Sequence, residues 1–146
     1  MAFAQTKAML GVLPFNLHLG LEIREEAGKS VVWMPDTAPL KNHIGTQHAG
    51  ALFTLGEAAS GAAVLDAFVD LLASATPLAK TATIEYKKVA RGPILARGAL
   101  AEPADAIRAR VEAEGKTVFD VNVVLSDEAG VEVVTMRVSW HLRKNA

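Results

Sequence analysis

Glu57 is the charged side chain with the greatest potential for chemistry in the most apolar part of the chain. It is the only charged residue between Ala49 and Leu65, where the other residues are small, apolar or neutral. A carboxylate in such a segment is costly to bury unless it is paired or used in a reaction. The alternative is that Glu57 points to solvent or pairs with a surface cation. Glu57 alone does not decide between the two.

The segment that precedes Glu57 favours a chemical role. Residues 42–51 read Asn-His-Ile-Gly-Thr-Gln-His-Ala-Gly-Ala and lead into a predicted helix. Glycines permit tight backbone approach, and the unpaired N–H groups of a first helical turn stabilise negative charge, as an oxyanion hole must. Glu57 lies roughly 10 Å along the axis from Ala49, so a substrate would have to lie along the helix.

A buried helix must position these residues. Small and apolar side chains recur at three- and four-residue spacing from about residue 48 to 68, and the remaining face is also mostly apolar. The stretch 49–73 is long enough to raise the question of a membrane span, but it contains Glu57, Asp66 and Asp70. The N-terminus has no apolar block long enough for a signal sequence. We expect a soluble, cytoplasmic protein.

The rest of the chain alternates in the manner of strands. A short helix is predicted over 4–12, then strands over 19–25 and 29–34, joined by a turn at 26–28. Beyond Pro77, alternation predicts strands over 81–89, 93–101, 107–113, 119–125 and 134–142. We expect one α+β domain over residues 1–146, with an antiparallel sheet of about six strands in meander order around one long helix.

Composition excludes several classes of protein. The 146 residues carry a net charge of −1, which gives no electrostatic footprint for nucleic acid. There is no cysteine, and the histidines lack the spacing of a metal site. No glycine-rich phosphate loop is present, and Ser60 lacks the sequence context of a nucleophilic serine. We therefore expect no metal, no nucleotide cofactor and no serine hydrolase.

Asn42, the turn His48-Ala49-Gly50 and Glu57 together resemble the hotdog-fold acyl-CoA thioesterases of the PaaI-like group. In that group an asparagine precedes a His-Gly-Gly-like turn, and a helical Asp or Glu lies nine residues after the histidine. Here Asn42 lies six residues before His48, and Glu57 lies nine after it. The order of elements is similar over the whole chain. Ala49 stands in place of the first glycine, and Glu57 in place of the commoner Asp.

The resemblance implies roles for these residues. Glu57 would activate water or attack the thioester carbonyl, and Ala49 or Gly50 would supply the backbone N–H that polarises it. Asn42 would orient the water or the carbonyl. A polar residue from the partner subunit's central strand would complete the site, with Thr81 or Thr83 as candidates. Coenzyme A would enter only as part of the substrate, without a further cofactor.

Other residues carry weaker signals. His48 is either a general acid/base, as in hotdog dehydratases, or a structural turn residue. Cations cluster around one predicted strand pair, and they either protect a sheet edge or attract the phosphates of coenzyme A. These cations are Lys87, Lys88, Arg91 and Arg97.

The helix has more apolar surface than one sheet can cover. We therefore expect a homodimer at least, which would pair into a tetramer if the dimers associate, with sites at the subunit boundary. The leading functional hypothesis is acyl-CoA hydrolysis by attack of water assisted by Glu57. The alternatives are a non-catalytic acyl-ligand or interaction module and, third, a hotdog hydratase or dehydratase.

Overall fold

The computed structural model describes residues 2–146 and contains four helices and six strands within that range. The helices are α1 (Ala2–Leu10), α2 (Pro14–Leu19), α3 (Ala49–Phe68) and α4 (Ala104–Glu114). The strands are β1 (Glu22–Glu26), β2 (Lys29–Met34), β3 (Ala75–Tyr86), β4 (Ile94–Leu100), β5 (Lys116–Ser126) and β6 (Glu132–Lys144).

All six strands form one antiparallel sheet in the order β1-β2-β4-β5-β6-β3. One row of paired residues, one from each of five strands, crosses the inner face of the sheet, and all but the last are buried against α3. It runs through Val32, Ala96, Leu125, Val134 and Tyr86. A sheet that wraps one central helix in this way is the hotdog fold, and the predicted fold class is confirmed.

The predicted meander order is wrong at one strand. β3 does not pair with β4, which follows it in the chain, but with β6 at the far edge of the sheet. The connection over residues 87–93 carries the chain back across to β4. Helix α3 therefore packs on β2, which precedes it in the chain, and on β4 and β5, which follow it.

The segment 107–113 is helical, which corrects the predicted strand there. Ile107 and Val111 are the only buried side chains of α4, and they lie one helical turn apart. The alanines that completed the apparent alternation, Ala109 and Ala113, are exposed. Gly115 ends the helix in the left-handed conformation at φ 76°. Two buried residues at a spacing of four define a helical face, whereas small exposed alanines fit either period.

Helix α3 is the core of the domain. With the turn that follows it, the helix is long and apolar enough to span a membrane, but 61% of an 18-residue apolar stretch within it is buried inside the fold. Asp66, near its C-terminal end, accepts hydrogen bonds from the Thr6 hydroxyl at 2.6 Å, and from the backbone N–H and hydroxyl of Ser30, both at 2.7 Å. This carboxylate therefore joins α1, α3 and β2.

Candidate functional site

The loop before α3 is held together by the side chain of Asn42. Its Oδ1 accepts from the N–H groups of Ile44 at 3.0 Å and Thr46 at 2.9 Å. Its Nδ2 donates to Thr46 Oγ1 at 2.7 Å and to the Gln47 carbonyl at 3.3 Å. The amide group is thus saturated within its own loop. In this conformation Asn42 shapes the loop and does not have a hydrogen bond to spare for water or substrate.

Gln47 anchors the same loop to the sheet. Its Nε2 donates to the carbonyl groups of Pro35 at 3.0 Å and Gly92 at 2.9 Å, just beyond β2 and before β4. The residue is only 2% exposed, and among residues 2–146 its Oε1 has no hydrogen-bond partner. Sequence reasoning missed this residue, since a glutamine in a loop gives no local signal of burial.

His48 is the N-cap of α3. Its backbone is extended, and its Nδ1 accepts from the Gly50 N–H at 2.8 Å. A Cβ atom at position 50 would lie 3.1 Å from that Nδ1, so glycine leaves room for the imidazole to fold back over the helix. The structural-turn role of His48 is therefore observed. Because the Gly50 N–H is already bound, it does not serve as a free oxyanion donor in this conformation.

The Ala49 N–H is one of two donors, with the Ala51 N–H, that this turn leaves open within residues 2–146. The N–H groups on either side are bound, since His48 donates to the Leu40 carbonyl at 2.8 Å and Gly50 donates to the imidazole. Within residues 2–146 no acceptor is hydrogen-bonded to the Ala49 N–H. Of the two predicted donors, the structure favours Ala49.

Tyr86, which sequence analysis overlooked, contacts the same turn. Its hydroxyl donates to the Ala49 carbonyl at 3.1 Å from the end of β3. Burial raises the pKa of this phenol, although 45% of the residue is exposed. The signal available in the sequence was that Tyr86 is the single tyrosine of the chain.

Glu57 lies on the outward side of α3, one helical turn after the partly exposed Phe53. Among residues 2–146 no cation or hydrogen-bond donor pairs with its carboxylate. Burial raises its pKa, because desolvation disfavours the charged form. An unpaired carboxylate with a raised pKa has the properties of a general base.

A cavity of about 340 Å³ opens at the N-terminal end of α3. Its wall brings together four of the predicted site residues with Tyr86; these four are Asn42, Ala49, Lys87 and Lys88. Glu57 and Arg91 do not line it. Across residues 2–146, no three histidine, aspartate or glutamate side chains lie close enough to hold a metal ion.

The strand register places Thr81 and Thr83 on the wrong side of the sheet for this site. Thr83 pairs with the exposed Arg137, and Thr81 pairs with Ser139, while Ala82 pairs with the buried Val138. Directly paired residues point to the same face, so both threonines face away from α3. Within one chain, the register therefore brings neither threonine to the face of the sheet that packs on α3.

The predicted cluster of four cations is also corrected. Because β3 and β4 are not neighbours, Arg97 lies far along the sheet from Lys87 and Lys88. Arg97 instead forms a bidentate ion pair with Glu26, with N–O distances of 2.5 and 2.8 Å. Only the two lysines border the cavity at α3.

The chain matches one family model and is similar to several solved structures. The family model described as "Domain of unknown function (DUF4442)" matches residues 3–142. A Pseudomonas aeruginosa protein of unknown function, described as a "Probable Thioesterase", is 31% identical over 99% of this chain and 94% of its own, with a TM-score of 0.82. No curated protein matches the chain.

More distant solved structures support the fold alone. A Haemophilus influenzae thioesterase is 16% identical over 93% of this chain and 87% of its own, with a TM-score of 0.73. A Staphylococcus aureus thioesterase, solved as a glutamine-to-alanine variant, is 19% identical over 90% of this chain and 99% of its own, with a TM-score of 0.70.

Proposed function

Since this chain belongs to the family described as "Domain of unknown function (DUF4442)" and shares its fold with proteins named thioesterases, we propose that it hydrolyses acyl-CoA thioesters. The observation that carries the proposal is the unpaired, partly buried carboxylate of Glu57 on the helix whose first turn leaves the Ala49 N–H open.

In the proposed reaction, Glu57 removes a proton from water as the water oxygen attacks the thioester carbonyl carbon. The resulting oxyanion is stabilised by the Ala49 N–H and the positive end of the α3 dipole. Collapse of this intermediate breaks the carbon–sulfur bond. The proton held by Glu57 passes to the leaving thiolate, so the products are a carboxylic acid and free coenzyme A.

The separation of Ala49 and Glu57 along α3 supports a site built from two copies of the chain. Ala49 and Glu57 are eight residues, or about two turns, apart on one helix, which is too far for both to contact one carbonyl group. We propose that a second copy, related by two-fold symmetry, supplies the Glu57 that faces each Ala49.

The edge strand β3 is the surface that suits this second copy. It is twelve residues long, and only Lys80 and Glu85 are charged. A long edge with few charges readily pairs with another strand. Ala79, Ala82 and Ile84 belong to its inner face, which pairing would place beside the outward side of α3. In the same proposal Lys87 and Lys88, at the mouth of the cavity, attract the phosphates of coenzyme A.

Two solved variants of the Staphylococcus aureus protein replace residues whose spacing matches that of Asn42 and Glu57. Its two solved variants replace a glutamine and a glutamate that lie 15 positions apart. Asn42 and Glu57 are separated by the same interval.

The test is Glu57→Gln, assayed by thiol release from a panel of acyl-CoA substrates. We expect kcat to fall by about 10²–10⁴-fold without loss of thermal stability. The matched control is Glu112→Gln, which removes an exposed carboxylate from α4. Turnover by Glu57→Gln at the wild-type rate would overturn the mechanism.

The second candidate is a non-catalytic binder of acyl ligands. It is favoured by one observation, that the Asn42 amide and the Gly50 N–H are already occupied, which leaves few free polar groups in the site. Calorimetric binding of an acyl-CoA by wild-type protein, without hydrolysis of any panel member, would support this function. A hydratase is less well supported, because the Nδ1 of His48 is committed to the helix cap.

A further inference from the structure

One peptide group at the start of α3 is held at both ends by side chains. The carbonyl of Ala49 accepts from Tyr86 Oη at 3.1 Å, and the N–H of Gly50 donates to His48 Nδ1 at 2.8 Å. These two atoms belong to the same peptide plane, which joins Ala49 to Gly50. The plane cannot rotate without breaking at least one of the two bonds.

This arrangement determines the chemical state of His48. Nδ1 accepts a hydrogen bond only when it carries no proton, so the neutral imidazole bears its proton on Nε2.

The arrangement also determines which donor is available. The Ala49 N–H belongs to the neighbouring His48–Ala49 peptide, whose carbonyl accepts from the Leu52 N–H at 3.0 Å. With the Ala49–Gly50 plane also fixed, the backbone on both sides of Ala49 is held. The Ala49 N–H then keeps one direction. A donor that is already oriented costs no reorganisation when charge develops on the substrate.

Space at Gly50 gives independent support. A Cβ at this position would lie 3.1 Å from His48 Nδ1 and 3.3 Å from its Cε1, closer than ordinary contact. The glycine is therefore matched to the folded-back imidazole. Tyr86 adds a second element, because it reaches the turn from the edge strand β3 and lines the cavity beside Ala49.

We propose that Tyr86 and His48 are positioning residues that clamp the Ala49–Gly50 peptide and thereby aim the Ala49 N–H at the substrate carbonyl. The proposal rests on the proposed function and extends it to Tyr86, a residue outside the motif. Neither side chain needs to touch the reacting atoms.

Kinetics of four variants test the clamp. Tyr86→Phe keeps the ring and removes only the hydroxyl, and we expect kcat to fall about 10-fold while KM changes less than about twofold. His48→Ala should lose at least as much. His48→Asn restores an N-cap acceptor, so kcat should recover to within about threefold of wild type. His43→Ala, on the same loop, is the matched control and should leave kcat unchanged.

A measurement without turnover separates this proposal from the proposed function. Hydrogen exchange of the Gly50 amide, followed by NMR, should be slow in wild type and about 10-fold faster or more in Tyr86→Phe and His48→Ala. Nitrogen shifts of labelled His48 should report an unprotonated Nδ1. Unchanged exchange in both variants, or wild-type kcat in both, would overturn the clamp. Protected exchange with no turnover in wild-type protein would support the clamp and remove the hydrolase function.

Discussion

Gly98 on β4 lies directly beneath the backbone of Ala59 on α3. A Cβ atom at position 98 would be 2.7 Å from the Ala59 carbonyl oxygen, a distance that real side chains do not show. The central helix therefore sits on the sheet at a separation that only glycine allows at this point. Because the obstructing atom belongs to a helix backbone, a side chain at position 98 can be accommodated only if α3 moves.

Gly98→Ala should destabilise the protein by about 1–3 kcal/mol, since the added methyl group forces the helix away from the sheet. Thermal and denaturant unfolding measure the change. The matched control is Gly61→Ala, where the new Cβ would make ordinary contact with Trp140 at 3.7 Å. This control should be neutral or stabilising by about 0.5–1 kcal/mol, because alanine favours the helix. Equal effects of the two substitutions would contradict the packing argument.

Asp66→Ala should destabilise the protein by about 2–5 kcal/mol. It removes the acceptor of three hydrogen bonds and leaves the buried Thr6 hydroxyl and the Ser30 donors without partners. Denaturant unfolding provides the measurement. Asp70→Ala, which breaks only an exposed ion pair with Arg108, is the control and should cost no more than about 1 kcal/mol. A stability loss no greater than that of the control would show that Asp66 does not hold α1 in place.

Glu57→Gln should raise the stability of the protein at neutral pH. Burial raises the pKa of Glu57, so the native state holds this proton more tightly than the unfolded state does and loses stability as pH rises through the native pKa. Glutamine removes that loss. We expect a Tm about 1–3 °C above wild type near pH 7.5, with the difference vanishing near pH 4. A lower Tm at both pH values would indicate that Glu57 has a stabilising partner.

The same pKa direction predicts an acid limb in catalysis. Glu57 must be deprotonated to accept a proton from water, so kcat should fall as the pH is lowered. Because burial raises the pKa of Glu57, the midpoint of this fall should lie at a higher pH than for an exposed glutamate. A pH–rate profile from pH 4.5 to 9 measures this limb. A limb at the ordinary glutamate value would show that the carboxylate is solvated when substrate binds.

Subunit mixing tests whether Ala49 and Glu57 act across a subunit boundary. Ala49→Pro removes the open N–H at the first helical position, where proline is tolerated, and the extended backbone of His48 suits a following proline. Ala49→Pro is mixed with Glu57→Gln, and each variant alone should be inactive. After exchange, half of the dimers are mixed and each has one intact site, so about a quarter of wild-type activity should return.

If mixing restores no activity, sedimentation distinguishes between two explanations. If wild type is a folded monomer at low micromolar concentration, the two-copy site is wrong. If wild type is a dimer that exchanges subunits but mixing restores nothing, both groups act from one chain. Ala82→Asp on the inner face of β3 should shift the dimer toward monomer, whereas Ala129→Asp in an exposed turn should not.

The elements that sequence patterns predicted well are those set by neighbouring residues. The spacing of apolar residues predicted a helix from about residue 48 to 68, and α3 spans Ala49–Phe68. The predicted turn between β1 and β2 occurs at Ala27 and Gly28, with φ angles of 50° and 80°, and Gly28 adopts its angle without steric cost. Helix periodicity, caps and tight turns depend on residues close in the chain, so one sequence contains the information.

Tertiary structure decided the remainder. The bulge between Ala79 and Thr81 and the pairing of β3 with β6 determined that Thr81 and Thr83 face away from α3. Alternation at 107–113 became a helix because only Ile107 and Val111 found a buried surface. Tyr86 and Ala49 are 37 residues apart, and only the return of β3 past the start of α3 joins them. Register and contact between distant segments depend on how the whole core packs, which no local pattern encodes.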